Sequence, residues 1–296
     1  MSTAIPKWNN AASGLQEHLK TVHNLVVPLD GTVLSRSVIP VARLLSELYS
    51  AAPHVMYAGP NEMNPEEMPA LLGVSESQLP GAVFDPRNGD PAKRIVHAAR
   101  NLEQSMIVMC THSGTHADGF GTVAECVLAS GPERIVVVPP ERGETPWHLR
   151  RILLAHDGTP ASDIASGPAA GLSIIAGAEV IALHVAARQA ARPEPGSLPA
   201  PRYIDQPQHE WPAWTQEFMD RMLALGAPSS AVRFNLVVAG GQPGSEIAQL
   251  AREKEVDFVI MAWDGEWQSA RHLATRVVIR TSGCPVLLVR SKNNKV

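Results

Sequence analysis

The sequence predicts an α/β protein made of two tandem doubly wound, Rossmann-like domains, each with a mainly parallel five-stranded sheet flanked by helices. Three observations predict it. Short apolar runs bounded by turn residues alternate with stretches of helical spacing, the pattern of βαβ units and a parallel sheet. An Asp-Gly-Thr triplet closes the first such run at residues 30–32 and returns at 157–159, 127 residues later. The length, 296 residues, is about twice a domain of roughly 150 residues.

The elements follow in order. Leu25 to Leu29 is a β-rich run; Asp30-Gly31-Thr32 is a turn, and helical spacing follows at Val38, Ile39, Val41, Ala42, Leu44 and Leu45. Ile152 to His156, Asp157-Gly158-Thr159 and the stretch Ala169 to Ile175 repeat that order. Gly89-Asp90-Pro91-Ala92 opens a helical pattern carried by Ile95, Val96, Ala98 and Ala99; Gly241-Gln242-Pro243-Gly244 opens its counterpart, carried by Ile247, Ala248, Leu250 and Ala251. Buried-strand runs come next, Met106 to Met109 and Phe258 to Met261, and each half closes on a further run, Ile135 to Val138 and Val286 to Val289.

These later landmarks lie 152 residues apart (89 and 241, 109 and 261), so the second copy carries about 25 extra residues between its second strand and the next helix. Pro193, Pro195, Pro199, Pro201, Pro207 and Pro212 crowd that region, and such a stretch reads as a surface loop. The organisation is an internal repeat: an N-terminal extension at 1–22, a first domain at 23–141, and a second at 150–291 with a Pro-rich insertion at about 188–212. Pro139-Pro140 and Gly143 mark the linker between the copies. In the extension, Leu15, Leu19 and Val22 have the spacing of a weak amphipathic helix, either a docking arm or a tail. Right-handed crossovers leave a crevice at the carboxyl ends of the strands, where such folds bind ligands.

Composition narrows the function. With 25 Lys+Arg against 29 Asp+Glu, a net charge of −4 and a pI near 6.3, bulk electrostatics do not favour a polyanion, and no nucleic-acid partner is expected. Hydrophobic residues at 45% and charged residues at 18% describe a globular chain. Cys110, Cys126 and Cys284 cannot form a closed disulfide framework, which favours a reducing compartment. No run of about 18 apolar residues exists and MSTAIPKWNN has no apolar signal core, so the expectation is a cytoplasmic protein without a membrane partner.

Two features sit where the crevice should be. Asp30 and Asp157 end the first strand of each copy, as carboxylates within reach of a ligand or as Asp-Gly turns and helix caps. The loop from Met109 to Thr122 carries Gly114, Gly119 and Gly121 before a helix, and backbone amides at a helix N-terminus suit a phosphate. Cys110, His112 and His116 have no attested metal spacing, and no metal site is assigned. Trp211, Trp214, Phe218, Met219, Met222 and Leu223 fall at helical spacing, as a core face or a partner surface. Trp263 and Trp267 either cover the second crevice or pack in its floor. No G-x-S-x-G elbow, P-loop or paired-carboxylate signature appears, so no catalytic residue is assigned and enzyme activity is left open.

Together these segments resemble the universal stress protein family in a tandem two-domain form. The resemblance runs from about Asn24 to Arg290 and rests on VPLDGT (27–32), GDPAKRIVHAA (89–99), IVMCTH (107–112), HDGTPASD (156–163), QPGSEIAQLA (242–251), VIMAW (259–263) and CPVLLV (284–289). It implies an adenine nucleotide in the crevice, ATP or AMP, with magnesium accompanying ATP. The family's acid at the end of strand one matches Asp30, after Pro28, and Asp157. Its phosphate loop, G-x-x-G, nine residues, then G-[S/T], is degenerate in both copies. In the first, Cys110 follows Met109 at the first glycine position and Ser113, beside Gly114, takes the second; seven residues then precede Gly121-Thr122-Val123. In the second, Ala262 and Gly265 match, but eight residues precede Ala274-Thr275, and Asp264 places a negative charge beside the phosphates. The first site is therefore the better preserved.

The resemblance implies a non-catalytic stress-response regulatory protein that binds an adenine nucleotide in at least one domain. The alternative is a nucleotide-free interaction or dimerisation module with degenerate loops. Antiparallel pairing of closing strands, usual in the family, implies self-association within the chain, between chains, or both, and adds a homodimer to the expected partners. At most weak ATP hydrolysis would follow, with His112 or His116 as base.

Overall fold

A computed structural model describes residues 22–59, 63–111, 121–186, 234–265 and 270–290. In the first half, β1 (Asn24–Pro28), α1 (Ile39–Tyr49), β2 (Ala52–Gly59), α2 (Met68–Leu72), β3 (Val83–Asn88), α3 (Pro91–Asn101), β4 (Ser105–Cys110), α4 (Thr122–Ser130) and β5 (Arg134–Val138) follow one another. The second half runs β6 (Arg151–Ala155), α5 (Pro160–Asp163), α6 (Ser166–Ala176), β7 (Glu179–Ala186), β8 (Phe234–Gly240), α7 (Pro243–Glu253), β9 (Phe258–Trp263), α8 (Ala270–Thr281) and β10 (Val286–Arg290). The Pro-rich insertion and the Trp211–Leu223 stretch lie outside the described residues, as do Leu15 and Leu19.

The ten strands among the described residues form one sheet in the order β3-β2-β1-β4-β5-β10-β9-β6-β7-β8. Each half is parallel within itself, and the halves join where β5 and β10 pair antiparallel, Val286 opposite Val137. The two five-stranded sheets expected from the sequence are thus continuous. Antiparallel joining has a geometric consequence: the carboxyl edge of one half is the amino edge of the other, so the two crevices open on opposite edges of the sheet.

Alternation along the strands explains why both faces are apolar. Leu25 and Val27 of β1, Met106 and Val108 of β4 and Val136 and Val138 of β5 point to one layer, and Val26, Ile107, Met109, Ile135 and Val137 to the other. A period of two on a sheet covered on both sides requires this. The first layer packs under α1 and α6 through Val41, Leu45, Ala169 and Leu172. The second packs under α3, α4, α7 and α8 through Ile95, Val127, Ile247 and Val278.

The duplication extends to individual contacts. Ser46 Oγ donates to the Ala51 carbonyl and Ser173 Oγ to the Ala178 carbonyl, each at 2.6 Å. The α1 and α6 ends turn on left-handed residues at equivalent places, Ser50 (φ 54°) and Gly177 (φ 66°). Arg100 caps the Ser130 carbonyl at 2.8 Å, and Arg252 donates to that of Thr281.

The linker is packed against both halves. Trp147 is buried, meets Phe258 edge-on at 5.3 Å and donates its Nε1–H to the Asp257 carbonyl at 3.2 Å. The Asp257 carboxylate accepts the amides of Arg150 and Arg151 at 2.8 and 2.9 Å. Glu144 pairs with Arg36 at 2.9 Å and accepts from Gln78 at 3.1 Å.

Candidate functional site

β1 and β4 are neighbours in register, Val26 opposite Ile107, so the carboxyl ends of both strands stand side by side. The first crevice begins there. Asp30 is exposed, and its Oδ1 accepts the Thr32 amide at 2.9 Å and the Thr32 hydroxyl at 2.7 Å. The aspartate therefore closes its own turn around Gly31 (φ 83°), and a ligand would meet a carboxylate already held in place. Val33 (69% exposed) and Leu34 (41%) follow the turn, and Leu71 (55%) lies near it: the Leu71 carbonyl stands 3.7 Å from where a side chain on Gly31 would begin.

Across the crevice, Thr111 and Gly121 meet through the backbone. The Gly121 amide donates to the Thr111 carbonyl at 3.1 Å, and the Thr111 amide to that of Val138 at 3.3 Å. Gly121 is the N-cap of α4, with no side chain capping the first turn. Amides at such a terminus lack intrahelical partners and carry the positive end of the helix dipole. Among the described residues, a Cβ on Gly121 would approach nothing nearer than the Thr111 carbonyl, at 3.5 Å. Thr122 and Val123 open the helix, Cys110 is half-buried at the end of β4, and Ser113, Gly114, His112, His116 and Phe120 lie outside the described residues.

The second crevice is built differently. Asp157 Oδ1 accepts the Thr159 amide (3.0 Å) and hydroxyl (2.6 Å), the same turn as in the first half, and also the Ser162 hydroxyl at 2.7 Å. Buried His156 takes the place of Leu29. Its Nδ1 accepts the Gly158 amide at 3.0 Å, which puts the ring proton on Nε2, 2.8 Å from Asp163 Oδ1. Buried His184 takes the place of Tyr57 and donates Nδ1–H to the His156 carbonyl at 3.1 Å. A network of two imidazoles and two carboxylates thus occupies the floor that is leucine and tyrosine in the first half. Nothing in the triplet repeat announced it; the signal available was the histidine and the acid seven residues apart in HDGTPASD.

Burial pushes the His184 imidazole below its usual 6.5; the bond to the His156 carbonyl and the Asp157 charge oppose that, and the His156 ring adds to it. A histidine whose folded pKa is depressed takes up protons preferentially in the unfolded chain. Its contribution to stability is complete above the unfolded value and is lost as pH falls through it toward the folded one. His54, lowered chiefly by burial against the opposing Asp85 charge, acts in the same direction. The unfolding midpoint is expected to drop between about pH 7.5 and pH 5, and to drop less in His184→Asn, which keeps a donor but does not titrate.

The second loop is also differently placed. Ala262 is the penultimate residue of β9, and Gly265 (φ 80°) turns the chain against the Arg290 guanidinium, which a Cβ there would overlap. Ala274 and Thr275, aligned by spacing with Gly121-Thr122, lie inside α8, which begins at Ala270. Thr275 is 1% exposed, and Ala274 packs against Gly244, whose missing Cβ would stand 3.0 Å from it. Trp263 is 2% exposed and does not plug its crevice: its Nε1–H donates to the Leu128 carbonyl of α4 at 3.0 Å. Trp267 lies outside the described residues.

Comparison with known proteins places these observations. Residues 148–290 match the model of the universal stress protein family. Among solved structures, a universal stress protein from Archaeoglobus fulgidus aligns at a TM-score of 0.65 and 16% identity, over 94% of this chain and 100% of that one. A putative universal stress protein from Pseudomonas aeruginosa aligns at 0.66 and 11%, over 92% and 94%. The cytoplasmic domain of a prokaryotic cation chloride cotransporter aligns at 0.51 and 12%, over 90% and 95%. At such identities the likeness is one of fold. Among the described residues no helix is long and apolar enough to cross a membrane.

Proposed function

Because residues 148–290 belong to the universal stress protein family, we propose that the chain is a non-catalytic, cytoplasmic stress-response regulator that binds an adenine nucleotide in its first crevice. The observation that carries the assignment is the contrast between the two glycines. Gly265 is held by packing and a left-handed φ, whereas Gly121, at a helix start, is demanded by neither among the described residues. A glycine the fold does not need keeps the backbone open to a phosphate.

The rest of the crevice suits the base. The exposed apolar residues Val33, Leu34 and Leu71 would offer surface to a purine, and the Asp30 carboxylate would accept from the exocyclic amine of adenine. Magnesium would arrive with the phosphates of ATP, and none of the residues above is assigned to it. Preference for one arrangement of the chain when the nucleotide is bound would supply the signal. Pairing of the closing strands is already satisfied inside the chain, so a homodimer would have to use another surface.

The test is equilibrium binding of ATP, ADP and AMP to the wild-type chain and to Gly121→Trp, whose indole would fill the mouth. Binding by the wild type and its loss in the variant are expected. No binding at millimolar nucleotide, or binding that survives the substitution, would overturn the assignment.

A further inference from the structure

The far end of α4 is finished by the other half of the molecule. A helix leaves its last carbonyls without partners, and here each has a separate answer. The Val127 carbonyl takes the Gly131 amide at 2.6 Å. Four residues after Leu128 stands Pro132, which has no N–H to give, and the Leu128 carbonyl accepts Trp263 Nε1–H at 3.0 Å instead. The Ala129 carbonyl accepts Arg290 Nη1 at 2.8 Å. The Ser130 carbonyl accepts Arg100 of its own half.

Trp263 and Arg290 are the last residues of β9 and β10 and lie opposite each other in register. Both therefore stand on the carboxyl edge of the second half, next to the Asp264-Gly265 turn. A third contact is made midway along α4, where Glu125 pairs with Arg276 of α8 at 3.0 Å. Neither edge bond has a like side chain on the opposite edge: by strand register Thr111 stands where Trp263 does and Pro139 where Arg290 does, while Glu125 and Arg276, 151 residues apart, are themselves counterparts.

One helix of about 13 Å thus begins beside the first crevice and ends in hydrogen bonds to the carboxyl ends of β9 and β10 in the second half. We propose that α4 is a strut coupling the two crevices, so that occupancy of the first changes the setting of β9, β10 and the Gly265 turn, and changes there alter affinity at the first. The ligand part rests on the nucleotide assignment above; the mechanical part does not. Coupling is reciprocal by necessity, so altering the second-half end must be felt at Gly121.

The experiment uses the full chain with Trp263→Phe, which keeps the ring but deletes the donor, Arg276→Gln, which removes the ion pair, and Trp147→Phe. The last deletes a comparable indole hydrogen bond between the linker and the second half, away from α4. Hydrogen exchange is read at the Gly121 and Glu125 amides, bonded to the Thr111 and Gly121 carbonyls. Several-fold faster exchange at both is expected in Trp263→Phe and Arg276→Gln and not in Trp147→Phe. ATP affinity is expected to fall about 5-fold or more in the first two only. If all three variants match in exchange, or the change stops at Leu128, the strut is overturned. If the wild type binds no nucleotide while exchange responds as expected, the nucleotide assignment falls and the strut stands.

Discussion

Trp263→Ala is expected to be the most destabilising of the substitutions considered, by about 4–6 kcal/mol, combining a large core cavity at about 3–5 kcal/mol with a stranded carbonyl at about 1 kcal/mol or more. The indole is 2% exposed and belongs to the layer formed with Val259, Val278 and Ile279. Its Nε1–H is what the Leu128 carbonyl has in place of a backbone donor, since residue 132 is proline. Trp263→Phe separates the parts: the ring volume is largely kept, and the loss should fall to about 1–2 kcal/mol. Chemical unfolding of the two variants reads both numbers. Equal losses would mean that the hydrogen bond, not the packing, dominates, contrary to expectation.

Alanine at the two crevice glycines should act in opposite ways. Gly265→Ala puts an L-residue at φ 80°, a cost of about 1–2 kcal/mol, and drives a Cβ into the Arg290 guanidinium that holds the Ala129 carbonyl. The total is expected at about 2–4 kcal/mol. Gly121→Ala meets only ordinary contact with the Thr111 carbonyl at 3.5 Å and a modest change of N-cap, about 1 kcal/mol or less. Unfolding midpoints measure the contrast directly. Similar losses at the two positions would remove the reason for treating Gly121 as a ligand-facing residue and Gly265 as a structural one.

Much of this fold is legible in the chain. The apolar runs at 25–29, 106–109, 135–138, 258–261 and 286–289 become β1, β4, β5, β9 and β10, with Leu29 just past the end of β1, because strands covered on both faces need unbroken apolar runs. The Asp-Gly-Thr repeat is visible because its geometry is local: the aspartate binds its own turn in both halves. What a single sequence conceals is which contacts cross from one half to the other. Trp263 could fill its own crevice or reach elsewhere, and only the antiparallel joining of β5 and β10, which brings the end of α4 beside β9, decides for Leu128. Pro132 was the clue, as a residue that leaves a carbonyl unanswered. Counting residues along the second loop aligned Ala274-Thr275 with Gly121-Thr122, but α8 starts four residues before Ala274, since helix starts are set by packing and not by loop length. The His156–His184 network escaped because isolated histidines on strand ends carry no periodic signal.

The most direct test of the account is hydrogen exchange across the whole chain with and without saturating ATP. Protection is expected at the Thr32 amide in the Asp30 turn and at Gly121 and Glu125, with a smaller response relayed to the β9 and β10 ends. Protection centred instead on the Thr159 and Gly158 amides of the second crevice, or no protection anywhere, would contradict it.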